Sequence, residues 1–190
     1  MGRGAVFIDG GYFQKVLQYV FNSPRVDFEV FSDKICGDCE RLRTYYYYCM
    51  PYQSDPPTEI ERERYAKADK FIFSLGRLNR FEVRLGKLIY IPSSQEYTQK
   101  RVDVLLSVDL VRMSWDHQIE KAVLVTGDSD FVPAIQAAKD AGVLTVLYYS
   151  RAHPQVSALD ELLYACDERI EITQRLINSC IRTNMIQQNL

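Results

Sequence analysis

Apolar residues along the chain follow two alternating patterns. Short apolar runs such as residues 5–9, which end in Asp9, and the wholly apolar residues 122–125 are typical of buried strands. Between such runs, apolar residues recur every three or four positions, as in Phe13, Val16 and Val20, which is the spacing of an amphipathic helix. The predicted strands are residues 5–9, 43–50, 81–85, 88–91, 122–125, 143–149 and 169–172, and the predicted helices are residues 12–21, 28–40, 58–75, 102–115, 131–141 and 157–166.

This order of elements predicts an α/β fold. Strands that alternate with helices favour a mainly parallel sheet with helices on both of its faces. Gly86 and Lys87 predict a tight turn between two neighbouring strands, and the polar residues 93–101 predict a loop. We expect a single domain over residues 1–172, followed by a helical tail over residues 173–190.

Composition narrows the class of protein. With 47% apolar and 25% charged residues in 190, the chain is an ordinary globular one with enough apolar side chains for a core. A net charge of −2 argues against a protein that coats nucleic acid by bulk charge, and leaves contact through a local patch open. Five cysteines, an odd number, favour the reducing cytoplasm. We expect no signal peptide and no membrane segment, since no apolar run approaches about 18 residues.

Three aspartates lie where two predicted strands end. Asp9 closes the first strand, and Asp128 and Asp130 follow the strand at residues 122–125. Ligands of parallel sheets bind at the carboxyl ends of the strands, near the point where the strand order reverses. Each aspartate also has a structural interpretation: Asp9 as a strand end, Asp128 as a turn residue, and Asp130 as the cap of the next helix, with Pro133 in its first turn.

A fourth aspartate, Asp103, opens a predicted helix. Residues 102–113 are apolar nearly all round, which predicts a buried helix. A carboxylate near its start must be paired, capped or bound to a metal ion, because burying it alone is costly. Its position in the first turn also suits the helix dipole. Asp109 lies about 120° further round this helix and cannot serve the same site directly, so we assign it a structural or supporting role.

These four aspartates form a donor set of oxygen alone, with no histidine near any of them. Such a set suits Mg²⁺ or Mn²⁺ rather than Zn²⁺. A divalent ion relieves the repulsion between crowded carboxylates. The chemistry that this arrangement favours is metal-assisted hydrolysis of a phosphodiester, with the ion activating a water molecule and stabilising the leaving oxygen.

Four segments of the chain resemble the NYN domains of the PIN-like nuclease superfamily, and within them the LabA-like branch. They stand in the expected order over nearly the whole chain and are Phe-Ile-Asp-Gly-Gly-Tyr-Phe (residues 7–13), Lys-Arg-Val-Asp-Val-Leu-Leu-Ser-Val-Asp-Leu (100–110), Thr-Gly-Asp-Ser-Asp-Phe-Val-Pro (126–133) and Ser-Ala-Leu-Asp-Glu-Leu-Leu-Tyr-Ala-Cys-Asp (157–167).

The resemblance implies a Rossmann-like sheet and a ribonuclease-type site that uses Mg²⁺ or Mn²⁺. The acidic positions that it carries over are Asp9, Asp103, Asp128 and Asp130. Many relatives have Asn shortly after the first Asp-Gly, where this chain has Gly11 and Tyr12. That departure leaves the acidic residues in place and affects the positioning of substrate.

Residues around the four aspartates are assigned to substrate or to support. Lys100 and Arg101 are next to Asp103 and can hold phosphates, and a tyrosine can stack on an unpaired base. Each has a structural alternative, namely a solvated charged surface for the basic pair and packing at the helix start for the tyrosine. The substrate-binding candidates are Lys100, Arg101, Tyr12 and Ser129, and the supporting candidates are Thr126, Asp109 and Asp167.

The function that these residues favour is metal-dependent cleavage of RNA, single-stranded in our interpretation. The alternative from another class is a catalytically silent RNA-binding or scaffold module that keeps the acidic site. A haloacid dehalogenase-type phosphatase is disfavoured because it needs an aspartate at position 11, which is glycine here. Cys36 and Cys39 form a lone CxxC, with no second pair and no nearby histidine, so a zinc site is disfavoured. The expected partner is RNA, and a homodimer is left open.

Overall fold

The computed structural model describes residues 2–91 and 96–181, and the backbone alone for residues 88–91 and 96–100. Its strands are β1 (Arg3–Asp9), β2 (Glu40–Tyr48), β3 (Phe81–Leu85), β4 (Lys87–Ile91), β5 (Glu96–Lys100), β6 (Lys121–Val125), β7 (Leu144–Tyr149) and β8 (Glu168–Glu171). Its α-helices are α1 (Gly10–Phe21), α2 (Phe28–Cys36), α3 (Glu59–Gly76), α4 (Val102–Trp115), α5 (Val132–Asp140), α6 (Asp160–Ala165) and α7 (Gln174–Asn178).

Six strands form one parallel sheet in the order β3-β2-β1-β6-β7-β8. The predicted α/β class, with a mainly parallel sheet, is therefore confirmed. The chain builds outward from β1 to β3, then returns to the middle and builds the other half from β6. The order reverses between β1 and β6, so the carboxyl ends of these two strands flank the crevice where such sheets bind ligands.

Side chains of β1 alternate between the two faces of the sheet, as the period of a strand requires. Val6 and Ile8 pack with α1, α2 and α3, whereas Ala5 and Phe7 pack with α4, α5 and α6. All four side chains are fully buried. Helices therefore cover both faces, as the sequence predicts.

The start of α3 agrees with the sequence prediction. Thr58 and Glu61 form a capping box, in which the Thr58 Oγ1 accepts from the Glu61 N–H at 3.2 Å and the Glu61 carboxylate accepts from the Thr58 N–H at 2.8 Å. Gly142, which we expected to end a helix, follows α5 with a φ of +83°, a conformation that favours glycine.

The predicted hairpin between the third and fourth strands is wrong. Residues 81–85 join the parallel sheet as β3, and β4 pairs instead with β5 in an antiparallel hairpin. Residues 96–100 therefore form a strand where we expected a loop. A local polarity pattern predicts an extended backbone but does not determine its partner. The partner of β3 is β2, more than thirty positions earlier in the chain.

The expectation that residues 102–113 form a helix is confirmed, but the expectation that this helix is buried all round is wrong. Leu106, Leu110 and Met113 of α4 are fully buried against the sheet. On the other side, Val104 and Val108 are 62% and 55% exposed. A helix that packs on one face of a sheet presents its far side to solvent, even when that side is apolar.

The last described residues pack against the α1–α2 face. Ile177 of α7 and Cys180 are buried there, and the Cys180 carbonyl accepts from the Asp27 N–H at 2.7 Å. Residues 182–190 of the predicted helical tail lie outside the described residues. In the part of the chain that the structure describes, no helix has both the length and the apolar character needed to cross a membrane.

Candidate active site

Asp9 lies at the carboxyl end of β1, where it also caps α1. One carboxylate oxygen, Oδ1, accepts from the Tyr12 N–H at 3.0 Å, and Oδ2 accepts from the Thr126 Oγ1 at 3.5 Å. The chain can turn from strand to helix here because position 10 is glycine. A Cβ at Gly10 would lie 2.5 Å from the ring of Tyr46. Asp9 is therefore held between the ends of β1 and β6.

Thr126, directly after β6, joins Asp9 to Asp128. Its side chain is fully buried, and its hydroxyl donates to Asp9 while it accepts from the Asp128 N–H at 3.2 Å. Gly127 follows beneath the ring of Tyr12, where an added Cβ would lie 2.3 Å from the ring. This close approach explains why glycine occupies the position between the threonine and the aspartate.

Asp128 and Asp130 lie on the single 3₁₀ turn that leads into α5. The Asp128 Oδ1 accepts from the Asp130 N–H at 2.9 Å, so Asp128 caps this turn. The structural interpretation of Asp128 as a turn residue therefore describes its hydrogen bond to the backbone correctly. The interpretation of Asp130 as the cap of α5 is wrong, since the N-cap position of α5 is Phe131 and no side chain caps that helix. Pro133 lies in the first turn of α5, as expected.

Asp103, in the first turn of α4, reaches the same edge of the sheet from another element. Our expectation that it is buried is wrong, because its residue is exposed at the end of the helix. Partial desolvation nevertheless raises the pKa of Asp103, and the charges of its neighbours Asp128 and Asp130 raise it as well. Arg101, just before it, has a φ of 79°, which is uncommon for a residue with a side chain.

The four carboxylates repel one another in pairs. Burial, with a further contribution from the charges of Asp103 and Asp128, raises the pKa of Asp9 to about 6, against the lowering effect of the Tyr12 N–H. Electrostatic coupling thus links Asp9 to Asp103 and Asp128, and Asp103 to Asp128 and Asp130. The structure therefore brings the four predicted aspartates to one edge, at the switch point of the sheet.

This donor set fits a hard divalent cation chemically. All four groups offer carboxylate oxygens, the ligands that Mg²⁺ and Mn²⁺ prefer, and their repulsion is what a cation would relieve. Among the side chains that the structure describes, those of residues 2–87 and 101–181, no three Asp, Glu, His or Cys are already drawn together as a formed metal cluster. The residues that could hold an ion are Asp9, Asp103, Asp128 and Asp130.

Asp109 belongs to a different network. It is 7% exposed, and its carboxylate accepts from the Tyr47 hydroxyl at 3.0 Å and from the Arg84 Nε at 3.2 Å. The Arg112 guanidinium lies 3.5 Å away. These contacts tie α4 to β2 and β3, which is the structural role we considered. Sequence reasoning missed Tyr47 and Arg84 as its partners, and no local signal connects positions so far apart.

Asp167 does not join the acidic site. It precedes β8, and its carboxylate accepts from the Thr145 N–H and Oγ1 near the start of β7, each at 2.8 Å. In a parallel sheet the starts of strands lie at the edge opposite their ends, so Asp167 and Asp9 are on opposite edges. The assignment of Asp167 to support of the ligands is corrected accordingly: it orients the backbone between α6 and β8.

The predicted substrate-binding residues differ in how close they lie to the four aspartates and in how far the structure describes them. The Tyr12 hydroxyl accepts from the Ser150 N–H at 2.8 Å and donates to the Val156 carbonyl at 3.1 Å, so it ties α1 to the segment after β7. Ser129 is half-buried at the start of the 3₁₀ turn, beside Asp128. The side chain of Lys100 lies outside the described part of the chain.

The strand order defines a Rossmann-like α/β domain, consistent with the PIN-like fold, with acidic residues at its switch point. The model of one family, the NYN domain, matches residues 3–173. The chain therefore belongs to the NYN domain family. The match is to the family as a whole and does not distinguish its branches.

A crystal structure of a protein of unknown function from Vibrio parahaemolyticus has a similar fold. The two chains are 17% identical, the TM-score is 0.67, and the alignment covers 95% of this chain and 96% of that chain. At this identity the likeness supports the fold alone. A comparison with curated proteins found no significant match.

Proposed function

We propose that this chain is a Mg²⁺- or Mn²⁺-dependent ribonuclease that hydrolyses phosphodiester bonds of single-stranded RNA. The observation that carries the proposal is the group of four carboxylates at the switch point, where burial and like charge raise the pKa of Asp9 to about 6. Buried carboxylates arranged for fold stability are normally paired with cations, whereas in the described part of the chain no cation lies within ion-pair distance of these four. Perturbed acids at a ligand-binding edge are typical of functional sites.

In this proposal Asp9, Asp103, Asp128 and Asp130 hold the metal ion. An ion bound there would activate a water molecule and stabilise the leaving oxygen of the phosphodiester. Thr126 keeps two of these carboxylates in register, because its hydroxyl bonds both Asp9 and the backbone of Asp128. The capping bonds to Tyr12 and Asp130 fix one oxygen of Asp9 and one of Asp128.

Substrate contacts come from the residues beside the acidic ones. We assign Arg101 and Lys100 to the phosphates of RNA, because they immediately precede the helix that carries Asp103. Ser129 adds a hydroxyl between Asp128 and Asp130. Tyr12 contributes through its ring, since both hydrogen bonds of its hydroxyl are made within the protein.

We extend the proposal to the wider properties of the chain. The catalytic domain covers residues 1–172 with residues 173–190 as a tail, and the chain belongs to the LabA-like branch. Its setting is the cytoplasm, which the five free cysteines support. A homodimer stays a prediction of the sequence, to be tested by sedimentation of the purified protein.

The test is cleavage of labelled single-stranded RNA by wild type and Asp128→Asn, with Mn²⁺, with Mg²⁺ and with a chelator. Asparagine keeps an oxygen that can accept from the Asp130 N–H, so the turn stays capped while one charge is lost. We expect metal-dependent cleavage by wild type and at least about a 100-fold loss in the variant.

Thermal melts of the same two proteins distinguish a ligand from a structural residue. Without metal, Asp128→Asn should be as stable as wild type or more stable, because one repelling charge is gone. Equal loss of stability with and without Mn²⁺ would exclude Asp128 as a ligand. A wild type that binds RNA and cleaves it with neither ion is the catalytically silent binding module instead.

A further inference from the structure

A groove lies between α1 and α3, on the face of the sheet away from α4. It consists of two adjoining cavities of about 460 Å³ and 580 Å³. Both are lined by Gln14 and Leu17 of α1, by Pro24, and by Lys67 and Phe71 of α3. We call this feature the basic groove, after the four cations that line it: Arg25, Arg64, Lys67 and Lys70.

The charged side chains that line the basic groove are all positive. Among the described residues that line it there is no Asp or Glu, although the chain as a whole carries a net charge of −2. In the same part of the chain, no carboxylate lies within ion-pair distance of Arg25, Lys67 or Lys70. Arg64, the fourth cation, has no carboxylate partner among the described residues either, although it donates to the Tyr52 carbonyl at 3.2 Å. On a slightly acidic protein, these four cations form a local site for an anion.

The walls of the basic groove suit a polyanion that also carries flat rings. Tyr48 and Phe71 are half-buried, so each presents part of its ring to the groove. Gln18 and Ser23 add polar groups along the same wall. Positive charge beside aromatic side chains is the combination by which proteins bind single-stranded nucleic acid, since phosphates meet cations and bases stack on rings.

The basic groove begins close to the acidic site. Tyr48 follows Tyr47, which pairs with Asp9 in the sheet. Gln14 donates to the Tyr46 hydroxyl at 3.3 Å, and that hydroxyl donates to the Gly10 carbonyl, next to Asp9, at 3.4 Å. From there the groove follows α1, whose twelve residues span about 18 Å. A strand in the groove can therefore continue to the carboxyl edge.

We infer that the basic groove binds several nucleotides of single-stranded RNA and leads the strand to the carboxylates. This inference rests on the proposed function for its substrate class. It adds a binding site on the α1–α3 face, where Arg25, Arg64, Lys67 and Lys70 contact phosphates and Tyr48 and Phe71 contact bases.

Fluorescence anisotropy tests the groove without cleavage. The probe is a labelled poly(U) strand of about 12 nucleotides, measured in chelator with wild type and Lys67→Gln/Lys70→Gln. The matched control is Lys34→Gln/Arg62→Gln, which removes the same charge from exposed positions on α2 and α3 that do not line the groove.

At about 50 mM salt we expect the groove variant to bind about tenfold more weakly than wild type, with the control within about twofold. Loss of two phosphate contacts should also lower the slope of log affinity against log salt by about 1.4. Equal affinity and slope in the groove variant and the control would overturn the inference, even where wild type cleaves RNA with Mn²⁺.

The two proposals fail separately. A wild type that binds poly(U) through the groove but cleaves no RNA supports the groove and overturns the ribonuclease. A wild type with no measurable affinity for poly(U) overturns the groove. Binding of a labelled poly-glutamate peptide to wild type, but not to the groove variant, would then assign this surface to an acidic protein partner.

Discussion

Asp9 and Asp167 lie at opposite edges of the same sheet, and the charged groups next to them have opposite signs. Partial burial acts to raise the pKa of Asp167, but hydrogen bonds from Thr145 and the ammonium of Lys139 at 3.1 Å outweigh it and lower that pKa. Burial and, to a smaller extent, two neighbouring carboxylates together raise the pKa of Asp9 to about 6. Asp167 has a cation beside it, whereas Asp9 has anions.

The difference separates two uses of a buried or half-buried carboxylate. Hydrogen-bond donors and a cation around Asp167 make its negative charge favourable. Ionised Asp167 therefore stabilises the edge of the sheet at which the strands begin, which we call the amino edge. The carboxyl edge, by contrast, holds charges that cost stability at neutral pH unless a cation joins them. A protein that keeps such a destabilising group of charges keeps it for a function other than the stability of the fold.

The strongest test of this contrast is catalytic. We expect Asp9→Asn to lower metal-dependent RNA cleavage by at least about 100-fold, because it removes a ligand from the proposed ion. Asp167→Asn should leave the rate within about twofold, since it lies at the other edge. Single-turnover rates of the two variants and wild type, measured with Mn²⁺, make the comparison. A similar loss in both variants would remove the distinction between the edges.

The pH dependence of stability should have opposite signs at the two edges. Between about pH 4 and pH 6, folded Asp9 binds a proton that the unfolded chain releases, so its contribution to the free energy of unfolding falls as pH rises. The loss is on the order of 3 kcal/mol at most and is complete above about pH 7. Asp167, with a lowered pKa, stabilises above about pH 4 and loses this contribution as pH falls.

Urea unfolding from acid to neutral pH checks these signs. Relative to wild type, Asp9→Asn should gain stability as pH rises through 6, because asparagine stays neutral. Asp167→Asn should instead be the less stable protein at neutral pH, by about 1–3 kcal/mol, and should approach wild type in acid. Parallel curves for wild type and Asp9→Asn would show that the Asp9 pKa is not raised.

Added metal should stabilise the carboxyl edge alone. Binding to the folded state at 100 times Kd contributes about 2.7 kcal/mol. We expect this gain from Mn²⁺ in wild type and in Asp167→Asn, and a smaller gain in Asp128→Asn. Melting temperatures at increasing Mn²⁺ concentrations provide the measurement. An equal gain in all three proteins would place the ion elsewhere.

The two glycines after Asp9 differ in how closely other atoms approach them, so their replacement by alanine should have different costs. Gly10→Ala should cost about 1–3 kcal/mol, since its Cβ would lie 2.5 Å from Tyr46 and 2.7 Å from the Tyr47 carbonyl oxygen. Gly11→Ala should be neutral or stabilising by up to about 1 kcal/mol, since its nearest neighbour is an Asp9 oxygen at 3.4 Å. Chemical unfolding of both variants decides the matter, and equal costs would contradict the packing argument.

The smallest effect concerns Cys36 and Cys39 near the amino edge. Burial raises the pKa of the Cys36 thiol to about 11, which disfavours the thiolate that zinc needs. We therefore expect a zinc chelator to leave the melting temperature unchanged. Stoichiometric zinc in the purified protein, lost in a variant without the two cysteines, would contradict this expectation.

The alternation of strands and helices could be predicted because it is local. The capping box of Thr58 and the apolar run ending at Asp9 act within a few residues. Predictions that needed a distant partner were less successful. Residues 96–100 are polar in sequence and yet pair with β4, and the apolar Val104 of α4 is 62% exposed because nothing in the described chain covers it.

By itself, the sequence determined that Asp9 ends a strand and that Asp128 and Asp130 follow one. The topology of parallel sheets then places those strand ends at one edge. Only the tertiary structure decided how each carboxylate behaves. Thr145 and Lys139 hold Asp167 at the far edge, Tyr47 and Arg84 bind Asp109, and the basic groove assembles from α1 and α3. The reason is that pKa, burial and charge pairing depend on neighbours remote in sequence, which no local pattern specifies.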